Sequence, residues 1–189
     1  MLWVGMKNPD IDQIKKVIAY NPETGRAVWL PRTPDMFDAK GQRSAAGSCS
    51  NWNARYAGLP AFTYVGSGGY YRGHILGASQ LLHRVAMALI RGGWDFRYVD
   101  HINGNKMDNR ASNLRECSNA ENIRNAASRG GSSVYKGVCF HKQNKNWIAN
   151  ITVNYKTKHL GSFATELEAA LCYDEAARDI HGEFARTNF

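Results

Sequence analysis

Long apolar runs and paired cysteines are what this 189-residue chain lacks. No apolar stretch is long enough to span a bilayer, which excludes a transmembrane helix. The start, MLWVGMKNPD, is without the basic, then apolar, then small-residue order of a signal peptide, so the expected compartment is the cytoplasm. Cys49, Cys117, Cys139 and Cys172 stand far apart and form no Cys-x-x-Cys pair, which argues against both a zinc site and a disulfide framework. They are expected to be reduced thiols. Acidic residues are absent from 133–160, where Lys136, Lys142, Lys145, Lys156 and Lys158 fall. What the chain does have is enough apolar residue for one medium domain or two small ones, and a net charge of +8 that points to a polyanionic partner.

In chain order, Asp10 can cap a helix in which Ile11, Ile14, Val17 and Ile18 recur at helical spacing and which Asn21, Pro22 and Gly25 stop. From Arg26 to Ile75, short segments at 27–29, 61–65 and 70–72 read as an antiparallel sheet. Trp52, Tyr56, Tyr70 and Tyr71, interleaved with Arg43, Arg55 and Arg72, suit either nucleic-acid stacking or a core, and a core is the commoner use of such a set. Residues 79–90 return to helical spacing, with Leu81, Leu82, Val85, Ala86 and Leu89 on one face and Gly92-Gly93 at the end. His83 is expected to be a hydrogen-bonded structural histidine. Arg84, whose fork suits a phosphate, is expected to contact one.

The stretch from Val99 to Asn125 concentrates the chemistry. Asp100 and His101 end a short apolar run and meet an Asn-Gly turn at Asn103-Gly104. Asn113 opens a second run, and Ser118 with Glu121 forms a capping box, so a helix should begin at Asn119 with Asn122 in its first turn. Two strands and a helix would thus bring a carboxylate, an imidazole and two carboxamides together. A neutral His101 could take a proton from water, while Asp100 and the Asn122 carboxamide offer the hard oxygens that magnesium or manganese accepts. Neighbouring strand residues face opposite ways, however, so Asp100 and His101 share a face only where the strand twists or bulges. Asparagines that merely knit turns remain an alternative on spacing alone.

Residues 127–133 have linker composition. Beyond them, alternation predicts strands over 134–140, 147–153 and 158–163, and Thr165 with Glu168 caps a helix to about His181. Leu167, Ala170, Leu171, Ala177 and Ile180 form the expected buried stripe of that helix. Lysines gather on the strand segment and acids on the helix, which predicts a basic sheet resting on an acidic helix.

Asp100-His101, Asn113-Leu114 and Glu121-Asn122 resemble the HNH nuclease motif, in the phage homing-endonuclease branch of the form DHINGN, NNR or DNR, NLR and EN. The likeness extends through residues 20–25, residues 52–58 and His83-Arg84-Val85. It implies a ββα-metal site holding one divalent ion, Mg2+ or Mn2+, with Asp100 and Asn122 as ligands and His101 as general base. Asn113 would be the structural Asn that braces the loop and keeps the His101 ring aimed at the water. Asn122, a weaker ligand, stands where other branches carry His. Residues 133–189, on Tyr135-Lys136-Gly137-Val138, Trp147-Ile148-Ala149, Leu160-Gly161-Ser162-Phe163 and Tyr173-Asp174-Glu175-Ala176-Ala177, are similar to the plant ethylene-response-factor (Apetala) DNA-binding domain. There a three-stranded sheet enters the major groove with the helix behind it. By position Lys136, His141, Asn150, Thr152, Lys156 and Lys158 would face DNA. Cys139 and Phe140 replace arginines and His159 a tryptophan of the plant members, so the plant target sequence does not transfer.

The resulting expectation is an α+β chain. An N-terminal HNH domain with a small antiparallel sheet would span 1–128 and a linker 129–133. A three-stranded antiparallel sheet packed on one helix would fill 134–189. The implied function is metal-dependent, site-specific cleavage of double-stranded DNA, a nick leaving a 5′ phosphate, by a phage-encoded enzyme in a bacterial cytoplasm. No membrane and no obligate protein partner is expected. The alternative is a non-catalytic DNA-binding regulator that keeps the HNH fold as scaffold. RNA is disfavoured, because the sheet lacks paired stacking aromatics for splayed bases.

Overall fold

Asp10 Oδ1 accepts the amide N–H groups of Asp12 and Gln13, each at 3.0 Å, and so starts helix α1 (Ile11–Val17). The computed structural model describes residues 8–39, 43–128 and 130–189. The reading of the chain's first seven residues, and Arg129 of the expected linker, lie outside them. Helix α1 stops one residue short of the expectation. Ile18 instead begins β1 (Ile18–Asn21), which pairs antiparallel with β2 (Arg26–Trp29) from Ile18 opposite Trp29 to Asn21 opposite Arg26. Between the two, Asn21 Oδ1 takes the amides of Glu23 and Thr24 at 2.9 Å, and Gly25 turns the chain at φ +69°. A Cβ on Gly25 would lie 2.4 Å from the backbone of Asn109 and Arg110, so only glycine lets this turn lie against that loop.

Helix α2 (Ala45–Tyr56) is a departure from the expected sheet. Its middle, Gly47 to Asn53, is rich in Gly, Ser and Asn, poor helix formers whose tertiary packing overrides propensity, and Ser44 caps the helix by accepting from Gly47 N–H at 3.1 Å. Trp52 and Tyr56, four apart, therefore share a helix face, and Trp52 meets Trp29 edge-on at 5.9 Å. Strands β3 (Tyr64–Val65), β4 (Tyr71–Ile75) and β5 (Ala78–Leu81) form a meander in that order. Residues 79–81, expected in the next helix, belong to β5, with Ser79 opposite His74 and Leu81 opposite Arg72. Helix α3 (Leu82–Arg91) follows at once and ends on Gly92 at φ +77°. Its buried face joins two clusters. Val85 and Leu82 pack with Ile14, Val17, Ile18 and Ile75, while Ala86, Met87 and Ala88 pack with Phe96, Val99 and Leu114. Burying a side chain such as Val85 stabilises the fold by about 1.5–3 kcal/mol. The second cluster lies under β6 (Tyr98–His101) and β7 (Leu114–Cys117), which form a two-stranded sheet. The capping box at Ser118 and Glu121 starts α4 (Asn119–Arg124), as expected.

The chain divides into two compact units between Arg115 and Glu116, ahead of the expected linker. In the second unit, β8 (Val138–His141), β9 (Asn146–Val153) and β10 (Lys156–Phe163) form an antiparallel sheet with β9 central. Helix α5 (Glu166–His181) carries the expected capping box of Thr165 and Glu168 and has acids in its first turn, where the helix dipole favours them. The buried stripe keeps Ala170 and Ala177 of the expected set and loses its large residues. Ala169, Ala170, Tyr173 and Ala177 pack on Val138, Ala149 and Ile151, while Leu167, Leu171 and Ile180 are exposed. Small side chains let the helix come close to the sheet, and Gly137 extends the closeness, since a Cβ there would lie 2.0 Å from the Tyr173 ring. Asp174, 1% exposed, accepts the amides of Asn188 and Phe189 at 2.8–2.9 Å and so ties down the C-terminus. Among the described residues, no helix is long and apolar enough to cross a membrane.

Candidate active site and nucleic-acid interface

Strand β6 delivers Asp100 and His101 into buried surroundings, and each finds different partners. The Asp100 carboxylate is gripped by the Arg115 guanidinium, whose Nε and Nη2 both donate to Oδ2, at 3.1 and 2.9 Å. The His101 ring meets Asn109 Oδ1 through Nε2 at 3.3 Å and lies in a cluster of rings, 5.0 Å from His83 and 5.8 Å from Tyr70. Burial pushes the His101 imidazole below the ordinary histidine value, against opposing contributions from the Asn109 hydrogen bond and the Asp100 charge. The ring is therefore neutral near pH 7 and able to accept a proton.

The loop from Ile102 to Arg110 is knit by its own asparagines, as turn chemistry anticipates. Asn103 Oδ1 takes Asn105 N–H at 2.8 Å, Asn103 Nδ2 donates to Asp108 Oδ2 at 2.9 Å, and Asn105 Oδ1 takes Met107 N–H at 3.1 Å. Asn113, 5% exposed, closes the loop from outside. Its Oδ1 accepts from Asn103 N–H at 2.9 Å and its Nδ2 donates to Asp108 C=O at 2.7 Å. That is the bracing half of the role expected for it. The His101 ring itself meets the side chain of Asn109. The base of the loop docks on the β1–β2 turn, where Ala111 N–H donates to Pro22 C=O at 2.8 Å and the Tyr20 hydroxyl donates to Asn109 C=O at 2.7 Å.

His83 is buried as expected but not hydrogen-bonded as expected: its Nδ1 has no partner among the described residues. Burial first, and the nearby His101 and Arg84 charges next, push it down to about 3, so this ring is an uncharged wall for His101. Tyr70, placed in a strand by the sequence reading, is another wall, 4.8 Å from His83, with the Lys106 ammonium 4.8 Å from its ring. Arg84 Nη1 donates to Arg97 C=O at 3.0 Å and its guanidinium lies 5.0 Å from the Phe96 ring, which anchors the chain entering β6. Neither Asn109 nor Arg115 stands out in the sequence as a site residue, and Tyr70 enters there only as a stacking or core aromatic. The Asp-Asn-Arg triplet at 108–110 was the available signal for the first.

Asn122 lies on α4, in the second unit, with partial exposure. Among the described residues, no three or more His, Cys, Asp or Glu side chains gather as a metal cage. A magnesium-type ion needs none, since it keeps several waters and takes one or two protein oxygens beside substrate phosphate. Asp100, an oriented carboxylate with hard oxygens, fits such an ion.

The sheet of the second unit divides the residues expected to face DNA between its two faces. Register sets Asn150 opposite His159 and Thr152 opposite Thr157, and Asn150 Oδ1 lies 3.4 Å from His159 Nδ1. Lys156 and Lys158 stand opposite Val153 and Ile151, so by strand alternation they lie on the α5 side, although both are exposed. The outer face thus carries Cys139, His141, Ile148, Asn150, Thr152, Thr157 and His159, nearly uncharged, with Lys142 and Lys145 in the turn that joins β8 to β9. Lys136 is also turned away from that face. Its ammonium donates to the Arg124 carbonyl and, at 2.6 Å, to the Ala126 carbonyl, satisfying the C-terminal end of α4, and burial pushes it down to about 8. Trp147 packs against the core, with Phe140 edge-on at 5.0 Å.

Residues 80–124 match the HNH endonuclease family model. The match lies mid-chain, which corrects the placement of an HNH domain beginning at the N-terminus. Over 127 residues, 66% of the chain, the sequence is 38% identical to an uncharacterised HNH endonuclease of Acanthamoeba polyphaga mimivirus, and it spans 65% of that protein's length. Over 61 residues, 31% of the chain, it is 48% identical to an AP2-like ethylene-responsive transcription factor of Arabidopsis thaliana and 44% identical to another of Oryza sativa subsp. japonica. The chain spans 12% and 10% of these plant proteins.

Proposed function

From the HNH endonuclease domain that residues 80–124 carry, we propose that this protein is a metal-dependent DNA endonuclease whose C-terminal unit binds the duplex being cut. The observation that carries the reading is His101: a buried, neutral imidazole beside a carboxylate, at the end of a strand and under a loop held rigid by Asn113. His101 takes the proton of the attacking water. Asp100, oriented by Arg115, would be an oxygen donor for one divalent ion, with the Asn122 carboxamide the second donor that the HNH resemblance implies. Bound there, that ion supplies Lewis-acid stabilisation of the charge that develops on the leaving 3′ oxygen, with a 5′ phosphate as the other product. His83 and Tyr70 exclude water from the far side of the base. One such site per chain addresses one phosphodiester, so the expected product is a nick.

The outer face of the β8–β9–β10 sheet, with Asn150, Thr152 and His159, lies along the major groove, and the marginal lysines contact phosphates. The test is cleavage of supercoiled plasmid with magnesium, with manganese and with chelator, beside His101→Ala. Metal-dependent conversion to open circle, absent in the variant, is the expected result. A linear product would replace nicking with paired cuts. If wild type and variant are both inert yet both retard duplex DNA, the protein is a regulator on an HNH scaffold.

A further inference from the structure

Asn109 is 2% exposed, and its carboxamide is bonded at both ends. Nδ2 donates to Met107 C=O at 3.1 Å, so the oxygen is the end that meets His101 Nε2, at 3.3 Å. The reversed amide would set Oδ1 against the Met107 carbonyl, two acceptors with no proton between them. An amide oxygen only accepts, so Nε2 carries the hydrogen, and a neutral imidazole protonated at Nε2 holds its lone pair at Nδ1. The backbone of Asn109 is fixed as well, by the Tyr20 hydroxyl on its carbonyl and by the close approach of Gly25.

We propose that Asn109 is a positioning residue for phosphodiester hydrolysis: by accepting from Nε2 it selects the Nε2–H form of His101 and makes Nδ1 the atom that takes the water's proton. This rests on the nuclease reading above. In the step, a water O–H bond breaks towards Nδ1 while the water oxygen bonds to phosphorus. The bond from phosphorus to the 3′ oxygen breaks, and the proton ends on that oxygen or in solvent. As the ring becomes imidazolium, its Nε2–H bond to Asn109 becomes charge-assisted and strengthens, so the contact is worth more after proton transfer than before it. Asn113 cannot take this role, because its oxygen and nitrogen serve Asn103 N–H and Asp108 C=O.

The test uses the full chain, with nitrogen-15 shifts of the His101 ring to report which nitrogen is protonated and plasmid cleavage in magnesium to give kcat and KM. Asn109→Leu, similar in shape but without an acceptor, is expected to lose the Nε2–H signature and about 100-fold in kcat, with KM for DNA within about twofold of wild type. Asn109→Asp keeps an oxygen towards Nε2 and forfeits the bond to Met107. It is expected to retain the signature and most of kcat. Were Asn109 only a loop brace, Asp would harm as much as Leu, and that result would overturn the proposal. So would a wild-type ring protonated at Nδ1 in a protein that cleaves. A wild type with an Nε2–H ring that cuts no DNA would instead overturn the nuclease reading, and with it any catalytic use of the tautomer.

Discussion

Arg115 Nε and Nη2 land on the same carboxylate oxygen of Asp100, Oδ2, and both side chains are nearly buried. A guanidinium fixed on one oxygen sets the rotation of the carboxylate and hence the direction of the other. Arg115→Ala strips a buried carboxylate of this partner, and breaking a buried ion pair costs about 3–5 kcal/mol. The urea midpoint should fall accordingly. Asp100→Asn leaves an oxygen for the guanidinium to donate to. Its midpoint should fall less, while metal-dependent cleavage is lost.

Asn113 offers a test of loop rigidity apart from chemistry. Asn113→Ala leaves Asn103 N–H and Asp108 C=O without their side-chain partner, each unmade bond costing about 1–3 kcal/mol. Hydrogen exchange at the Asn103 amide should accelerate, and kcat should fall with it. Unchanged exchange at Asn103 would show that the turn holds without the brace.

Much of this arrangement is legible from residue order, and the misses share a cause. The Ser118 and Thr165 capping boxes and the three C-terminal strands follow from local chemistry that acts over three or four residues. Helix α2 is not legible, because its Gly, Ser and Asn residues carry no local helical preference and the helix depends on packing such as Trp52 on Trp29. In α5 the expected Ala170 and Ala177 are buried, while the expected Leu167, Leu171 and Ile180 are exposed, because small side chains are what permit the close approach. In the site, Asp100, His101 and Asn113 have recognisable spacing. Asn109, Tyr70 and Arg115 matter through bonds and ring contacts that spacing does not encode.

His83 gives the fold an acid limit. Its folded-state value, pushed down to about 3 by burial, lies below the ordinary 6.5 of the unfolded chain. Between those values the unfolded state binds a proton that the folded state refuses. The stability from this neutral histidine is complete above about 6.5 and is lost as pH falls towards 3, with a limiting slope of about 1.4 kcal/mol per pH unit. His83→Leu removes the proton from the balance, so Tm measured from pH 7 to pH 4 should decline less steeply than in wild type. Parallel curves would assign the acid sensitivity to other groups.

The sheet of the second unit separates reading from gripping. Asn150 and His159 share the outer face with Thr152 and Thr157, whereas Lys158 lies opposite Ile151 on the helix side of the exposed edge strand. If the outer face lies in a major groove, His159→Ala and Asn150→Ala should change which sequences are preferred, with little change in salt dependence. Lys158→Ala should weaken binding to all sequences and reduce the slope of log K against log salt by about 0.9, the contribution of one phosphate contact. Lys136→Ala should leave that slope unchanged, because its ammonium is already committed to the carbonyls of Arg124 and Ala126. Its loss should appear instead as a lower Tm, since two carbonyls at the end of α4 lose their donor. Fluorescence anisotropy over a salt series with these four variants separates the roles. A change of sequence preference in Lys158→Ala without a change of slope would place the helix-side edge of β10, and not the outer face, against the bases.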